Sequence, residues 1–455
     1  MRVSFSIKKI IFIPVLSLFY LISAAQLKQP YEMNIEGVKV IVQPGGNEIL
    51  EIQTVFKGGV QNYAVGKDGI ESLAINALTE CGTGKDDKNS FKNKLDKVSA
   101  QVYGSSGMDY ASFNMNCIGS DFEVVWPLYA DALTDPRFDE KEFNRIKQDA
   151  INNLKQQASQ PDYAISKYAK QTAFAGKDYA KIPEGTEESI SKLTASETKE
   201  YYKKLLTKSR IFLVVVGEVD RANLESKIKA MLSPIPVGEP FKLKKEPYSP
   251  KQNSFISQKK DFATNYIQAI TGAPMPGTKE FNAFSLAMRI FSNRQFLEVR
   301  TNNGLSYAPY SYFDGGLSSS ANIFVSTTDP NKYFTVIKSL IDKTRKEGFK
   351  EDEVKNMKST YLTSYYSKLE TNGAQASAFA SNEVIHDNWR RALTLNDDLK
   401  SITAANLNEV FNKYVTNLTW VYQGDPVKVD AKLYAPGAEK KTKIQPSKLK
   451  TKKKG

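Results

Sequence analysis

Residues 193–220 read LTASETKEYYKKLLTKSRIFLVVVGEVD, and residues 402–424 read ITAANLNEVFNKYVTNLTWVYQG. In each run a threonine, Thr194 or Thr403, stands where a helical pattern begins. A strand-like segment follows and ends at a glycine, Gly217 or Gly424. Thr194 with Glu197 has the spacing of a capping box. Ile211 to Val216 is an unbroken apolar run rich in β-branched residues, the mark of a strand buried on both faces. A second pair of landmarks keeps the same offset. Phe138, Glu140, Glu142 and Lys147 match Phe349, Glu351, Glu353 and Lys358, about 210 residues apart in both comparisons. The chain therefore reads as a duplication.

The rest of the sequence agrees. A chain of 455 residues is too long for one ordinary core, so two domains are expected. Between the repeats, SPIPVGEPFKLKKEPYSPKQNSF (233–255) carries five prolines and predicts a linker. The first half offers strands at 37–42, 49–56, 110–118 and 211–216. Its helices are expected at 69–80, 90–99, 122–133, 140–157, 162–174, 195–206 and 222–232. The second half offers strands at 264–272, 307–313 and 321–327, with helices at 281–291, 332–347, 351–369 and 376–385. Mixed strands and helices in each half predict a duplicated α+β domain.

Composition narrows the class. Apolar residues make up 41% and charged residues 25%, the balance of a globular chain. The net charge of +13 is uneven. Lys440, Lys441, Lys443, Lys448, Lys450, Lys452, Lys453 and Lys454 crowd the C-terminal end, and Arg2, Lys8 and Lys9 the N-terminal one. The body between is near neutral, which argues against a nucleic-acid grip. The lysine-rich tail reads as a solvated end, with contact to an acidic surface or anionic lipid as a second reading. The basic start, the apolar run Ile10–Ile22 and Ser23-Ala24-Ala25 predict an export signal, with the mature chain beginning near Gln26 and no transmembrane span within it. Cys81 and Cys117 are the two cysteines, open to a single bridge or to two buried thiols.

The repeat order, the linker and several motifs together resemble the M16, or pitrilysin/insulinase-type, peptidase family from about residue 30 to 425. The motifs are Gly69-Ile70 with Gly82-Thr83, Phe138 onward with Pro161, Gly217-Glu218-Val219-Asp220, and RQFLEVRTNNGLSY at 294–307. The resemblance implies two tandem homologous mixed α/β domains of the M16 (LuxS/MPP-like metallohydrolase) fold, forming half of a clamshell. Its implied bounds are a signal peptide at 1–25, an N-terminal domain at 26–232, the linker at 233–255, a C-terminal domain at 256–430 and a basic tail at 431–455.

Active members carry His-x-x-Glu-His on the first helix, two imidazoles one turn apart on one metal and a glutamate to activate its water. Counted from Gly69, those seats hold Ser72, Ile75 and Asn76; counted back from Gly82-Thr83, they hold Leu73, Asn76 and Ala77. The further glutamate seat falls on Asn153. The one histidine, His386, lies in the other half and reads as structural or surface. Glu71 and Glu80 read as exposed or capping carboxylates. The chain thus resembles a non-catalytic, M16B-like subunit with a degenerate zinc site.

In the family, the last arginine and the tyrosine of the 294–307 run bind substrate near the scissile carbonyl. Here they are Arg300 and Tyr307, across the turn Asn302-Asn303-Gly304, with Arg294 expected to brace that turn. A guanidinium and a phenol are suited to the charge that develops on a carbonyl oxygen under attack. One departure is Phe291-Ser292-Asn293, where the family often has a glycine-rich stretch. The implied function is the substrate-binding subunit of an exported heteromeric zinc peptidase, in the periplasm of a Gram-negative-type bacterium. Its partner would be a zinc-motif-bearing M16 chain, its substrate an extended peptide or small protein. It would hold no cofactor itself, the zinc residing in the partner. The competing reading is a catalytically dead scaffold that binds peptides by strand addition.

Overall fold

The computed structural model describes residues 29–436. The expected leader over 1–25 and all but the first six residues of the stretch 431–455 lie outside the described residues. The first half runs β1 (Tyr31–Ile35), β2 (Val38–Gln43), β3 (Ile49–Lys57), α1 (Ile70–Glu80), α2 (Lys88–Asp96), β4 (Gln101–Ser106) and β5 (Tyr110–Ile118). It continues through α3 (Phe122–Thr134), α4 (Glu140–Ala158), α5 (Pro161–Ala173), α6 (Glu187–Lys192), α7 (Ala195–Leu205), β6 (Ile211–Val216) and α8 (Arg221–Leu232). The second half runs β7 (Ser254–Lys259), β8 (Asn265–Gly272), α9 (Glu280–Gln295), β9 (Tyr310–Asp314) and β10 (Ser320–Thr327). It closes with α10 (Pro330–Glu347), α11 (Glu351–Lys368), α12 (Asn372–His386), α13 (Arg391–Lys400), α14 (Ala404–Tyr414), β11 (Thr419–Gly424) and α15 (Ala431–Tyr434).

Each half builds one mixed sheet. The first has the order β1-β2-β6-β3-β5-β4 and the second β7-β11-β8-β10-β9. Without β1 the two orders correspond strand for strand. In both, the late central strand lies parallel to one neighbour (β6 to β2, β11 to β7) and antiparallel to the other (β3 or β8). Thr194 and Thr403 cap α7 and α14, accepting from the amides of Glu197 and Asn406. The box at Thr194 is only half made: the Glu197 carboxylate pairs with Lys67 instead of returning to the cap. Gly217 and Gly424 leave the central strands at φ 138° and 158°, and a Cβ on Gly217 would lie 2.6 Å from the Ile49 carbonyl oxygen.

The sheets are covered on both faces, one of them by the opposite half. Thr54 on β3 meets Tyr129 of α3, while its neighbour Gln53 turns to the other face and donates to Ser377 of α12. In the second sheet Thr271 meets the carbonyl of Tyr414 in α14, and Gln268 on the opposite face accepts from Ser166 of α5. The halves thus exchange their helices α5 and α12, each anchored by a serine–glutamine contact. Apolar residues from both halves, including Ile270, Phe324, Phe379 and Val421, join the first core. This is why all of β6 and β11 is buried.

The short edge elements β1, β4, β7, α6 and α13 fall outside the sequence expectation. The stretch 307–313 forms a strand only from Tyr310. The linker is shorter and less free than expected: β7 claims its last two residues, and Tyr248 is buried, its hydroxyl 2.6 Å from that of Thr419. The C-terminal domain also passes residue 430, because Tyr434 packs inside the second core and donates to the Pro330 carbonyl oxygen at 2.5 Å. Cys81 and Cys117 are separate buried thiols, pushed up by burial to about 12 and about 11. No helix among the described residues is long and apolar enough to cross a membrane.

Candidate substrate-binding site

α9 does not end at Gln295 but continues as a π-helical turn, Phe296–Asn302. The wider coil swings Arg300 outward. Its guanidinium lies 4.2 Å from the centroid of the Tyr307 ring and 4.9 Å from that of Phe296, a cation held between two aromatic faces. Tyr307 is 79% exposed. Among the described residues neither Arg300 nor the Tyr307 hydroxyl has a hydrogen-bond or ion-pair partner. Two donors of different shape are therefore held side by side and left open.

The turn that carries them is braced from within. Asn303 donates to the Glu298 carbonyl oxygen at 2.9 Å, Asn302 to the Glu298 carboxylate at 2.9 Å, and Gly304 turns at φ 62°. Arg294, expected to brace this turn, does something else. It forms a two-pronged pair with Glu353 at 3.0 and 2.6 Å and donates to the Gly348 carbonyl oxygen at 2.9 Å, so it ties α9 to the α10–α11 junction.

On α1, Ser72 is half-buried and Asn76 exposed, whereas Leu73, Ile75 and Ala77 are buried. Ile75 packs so closely on β4 that a Cβ at Gly104 would lie 2.1 Å from its Cγ2. Asn153 sits exposed on α4. Counted from Gly69, the two histidine seats reach open space; counted from Gly82, they fall in the core. Neither set offers an imidazole or a carboxylate, so these residues do not fit a zinc ion. Among the described residues no group of three or more His, Cys, Asp and Glu is placed to hold a metal.

Residues 192–361 match the family model described as the Peptidase M16 inactive domain. The non-peptidase homolog YmxG of Helicobacter pylori is 22% identical over 380 residues, covering 80% of this chain and 86% of that one. The structure of a peptidase M16 inactive domain from Pseudomonas fluorescens superposes with a TM-score of 0.78 at 17% identity, over 87% of this chain and 98% of that one. Residues 192–361 thus resemble the inactive domain of the M16 family, and the chain as a whole shares the fold of such proteins. The periplasmic protease PqqL of Escherichia coli shares the fold as well, with a TM-score of 0.74 at 15% identity over 87% of this chain and 45% of that one.

At the two ends of α1, Glu71 and Glu80 both depart from their expected roles. Glu71 is neither exposed nor a cap; it is fully buried. Left-handed Gly69 starts α1 so that its first turn points inward. There Glu71 accepts from Tyr201 at 2.6 Å, Asn62 at 2.9 Å and Ser106 at 3.1 Å. Burial pushes its carboxyl up to about 7 against the pull of those donors and of Arg210. Glu80 is half-buried in an ion-pair network, 2.6 Å from Arg145 and 2.8 Å from Lys92. Partial burial raises its carboxyl, but these two cations bring it below its ordinary value.

His386 closes α12, half-buried and edge-on to Phe281 at 5.1 Å. Its Nδ1 is buried without a partner. Burial first, then Arg391 and Lys245, push it from 6.5 down to about 4. A depressed value means that the neutral ring stabilises the fold fully above pH 6.5, and that this contribution is lost as pH falls through about 4. Melting curves should therefore fall less steeply between pH 6.5 and 4 for His386→Leu than for the unaltered chain; equal slopes would contradict this.

Proposed function

We propose that this chain is the non-catalytic, substrate-binding subunit of an exported, two-chain M16 zinc peptidase. Arg300 and Tyr307 face the zinc site of a partner chain that carries His-x-x-Glu-His. The zinc belongs to that partner, and the substrate is an extended peptide or small protein. The observation that carries the reading is the contrast between the two motifs. Arg300 and Tyr307 are stacked and unpartnered on a braced turn, Tyr307 exposed and Arg300 half-buried, while the seats on α1 hold no metal-binding side chain. Exposed polar groups fixed in place without a partner of their own are suited to act on something bound. The leader-like N-terminus supports export, and the periplasm is the compartment it suggests.

The test is reconstitution. Alone, the purified chain should hold no stoichiometric zinc and cleave no peptide. Mixed with a zinc-motif M16 chain that co-purifies with it from its host, it should raise peptide turnover well above that of the partner alone. One tightly held zinc per isolated chain, or a partner fully active by itself, would overturn the proposal.

A further inference from the structure

The exchanged helix α5 leaves a cavity of about 280 Å³ where it crosses the second sheet. That volume is near the lower end of small-molecule sites, about 300–1,000 Å³. Its walls come from both halves: Met108 of the β4–β5 turn, and Ile182 and Pro183 of the segment after α5, supply apolar surface. Its floor is Gln268 and Asn322, both buried in the second sheet.

The floor is preorganised. Ser166 donates to Gln268 Oε1 at 2.9 Å, and Gln268 Nε2 donates to Asn322 Oδ1 at 2.9 Å. The chain of donors stops there. Asn322 is only 3% exposed, and its Nδ2 has no protein acceptor. That amide is left to donate to whatever enters the cavity.

A cation lines the same space. Lys170 is answered by Asp314 at 3.2 Å, but Lys167 is not answered. Lys167 is half-buried, and its Nζ touches only the Tyr163 ring, 5.7 Å from the centroid. Among the described residues it has no ion-pair or hydrogen-bond partner. Burial pushes its amine below the ordinary value, which Glu184 and Asp68 only partly offset from a distance. A half-buried charge of this kind gains from a counter-ion that can enter with it.

We propose that this cavity binds a small organic carboxylate with a compact apolar body, Lys167 supplying the counter-charge and Asn322 a second donor. The carboxylate is either a free acid or the C-terminal end of a peptide; the two present the same group to the site. The proposal is independent of Arg300 and Tyr307, which lie on another element.

Calorimetric titration of the full chain with 3-phenylpropionate and with its uncharged amide tests it. The acid should bind at least tenfold more tightly than the amide, and Lys167→Met should lose at least tenfold for the acid while its melting curve shows a folded chain. Gly-Gly-Phe with a free and with an amidated C-terminus separates the two sources. Binding of the free form alone identifies a peptide end, and binding of phenylpropionate but neither peptide identifies a free acid. The proposal is overturned if no carboxylate binds at millimolar concentration, if acid and amide bind equally, or if folded Lys167→Met binds as the unaltered chain does. The acid–amide comparison on the unaltered chain decides the matter even where the variant does not fold.

Discussion

Arg300→Ala and Tyr307→Phe should each slow peptide turnover by the reconstituted pair about a hundredfold, without weakening complex formation. The expected size follows from the role. Removing one preorganised donor to a developing oxyanion costs on the order of 3 kcal/mol of transition-state stabilisation. Tyr307 is exposed, the half-buried Arg300 lies outside both cores, and neither side chain holds a hydrogen bond or ion pair that the fold would lose. Arg300→Lys should rescue poorly. An ammonium lacks the planar fork and stacks less well between the Phe296 and Tyr307 rings. Turnover is compared with the unaltered chain at saturating and at limiting substrate. Near-normal turnover in both variants would sink the catalytic-partner reading, and the peptide-binding scaffold would become the better account.

Glu71→Ala should cost on the order of 3 kcal/mol of stability, because three part-buried donors lose their fully buried acceptor at once. The pH dependence is a separate expectation. Burial holds the Glu71 carboxyl at about 7 in the folded chain, above its ordinary 4.5. Between those values the folded chain keeps a proton that the unfolded chain has released. The contribution is therefore complete below pH 4.5 and is lost as pH rises through about 7. Urea unfolding at steps from pH 4.5 to 7.5 should show a smaller decline for Glu71→Gln than for the unaltered chain. Glu51 and Asp109, whose carboxyls are also raised by burial, add to the same decline in both proteins, so the difference between the two isolates Glu71. Identical slopes would show that Glu71 is charged in the fold throughout.

The interior position of Glu71 was partly legible in advance. It lies three and seven residues before Ala74 and Leu78, which form the inward stripe of α1. A carboxylate on an apolar stripe signals a buried polar network. Arg294 gave no such warning: its carboxylate, Glu353, lies 59 residues away on another helix.

What the sequence determined by itself are the features written in neighbouring residues. The duplication is visible in Thr194 and Thr403, and in the glycines 217 and 424 that end matching strands. The buried character of β6 is visible in IFLVVV and the missing imidazoles on α1 in its plain composition, while Arg300 and Tyr307 are singled out by the resemblance of the run 294–307. Local periodicity reports which face of an element is apolar, and residue type reports what chemistry it lacks. Neither reports what covers that face. The exchange of α5 and α12, the parallel docking of β7 on β11, the placing of Glu71 under Tyr201 and the isolation of Lys167 all join residues far apart in the chain. These were decided only by the tertiary structure. The second face of each sheet, which mixes apolar residues with Gln53 or with Gln268 and Asn322, is covered by a helix from the other half, a contact that no local pattern encodes.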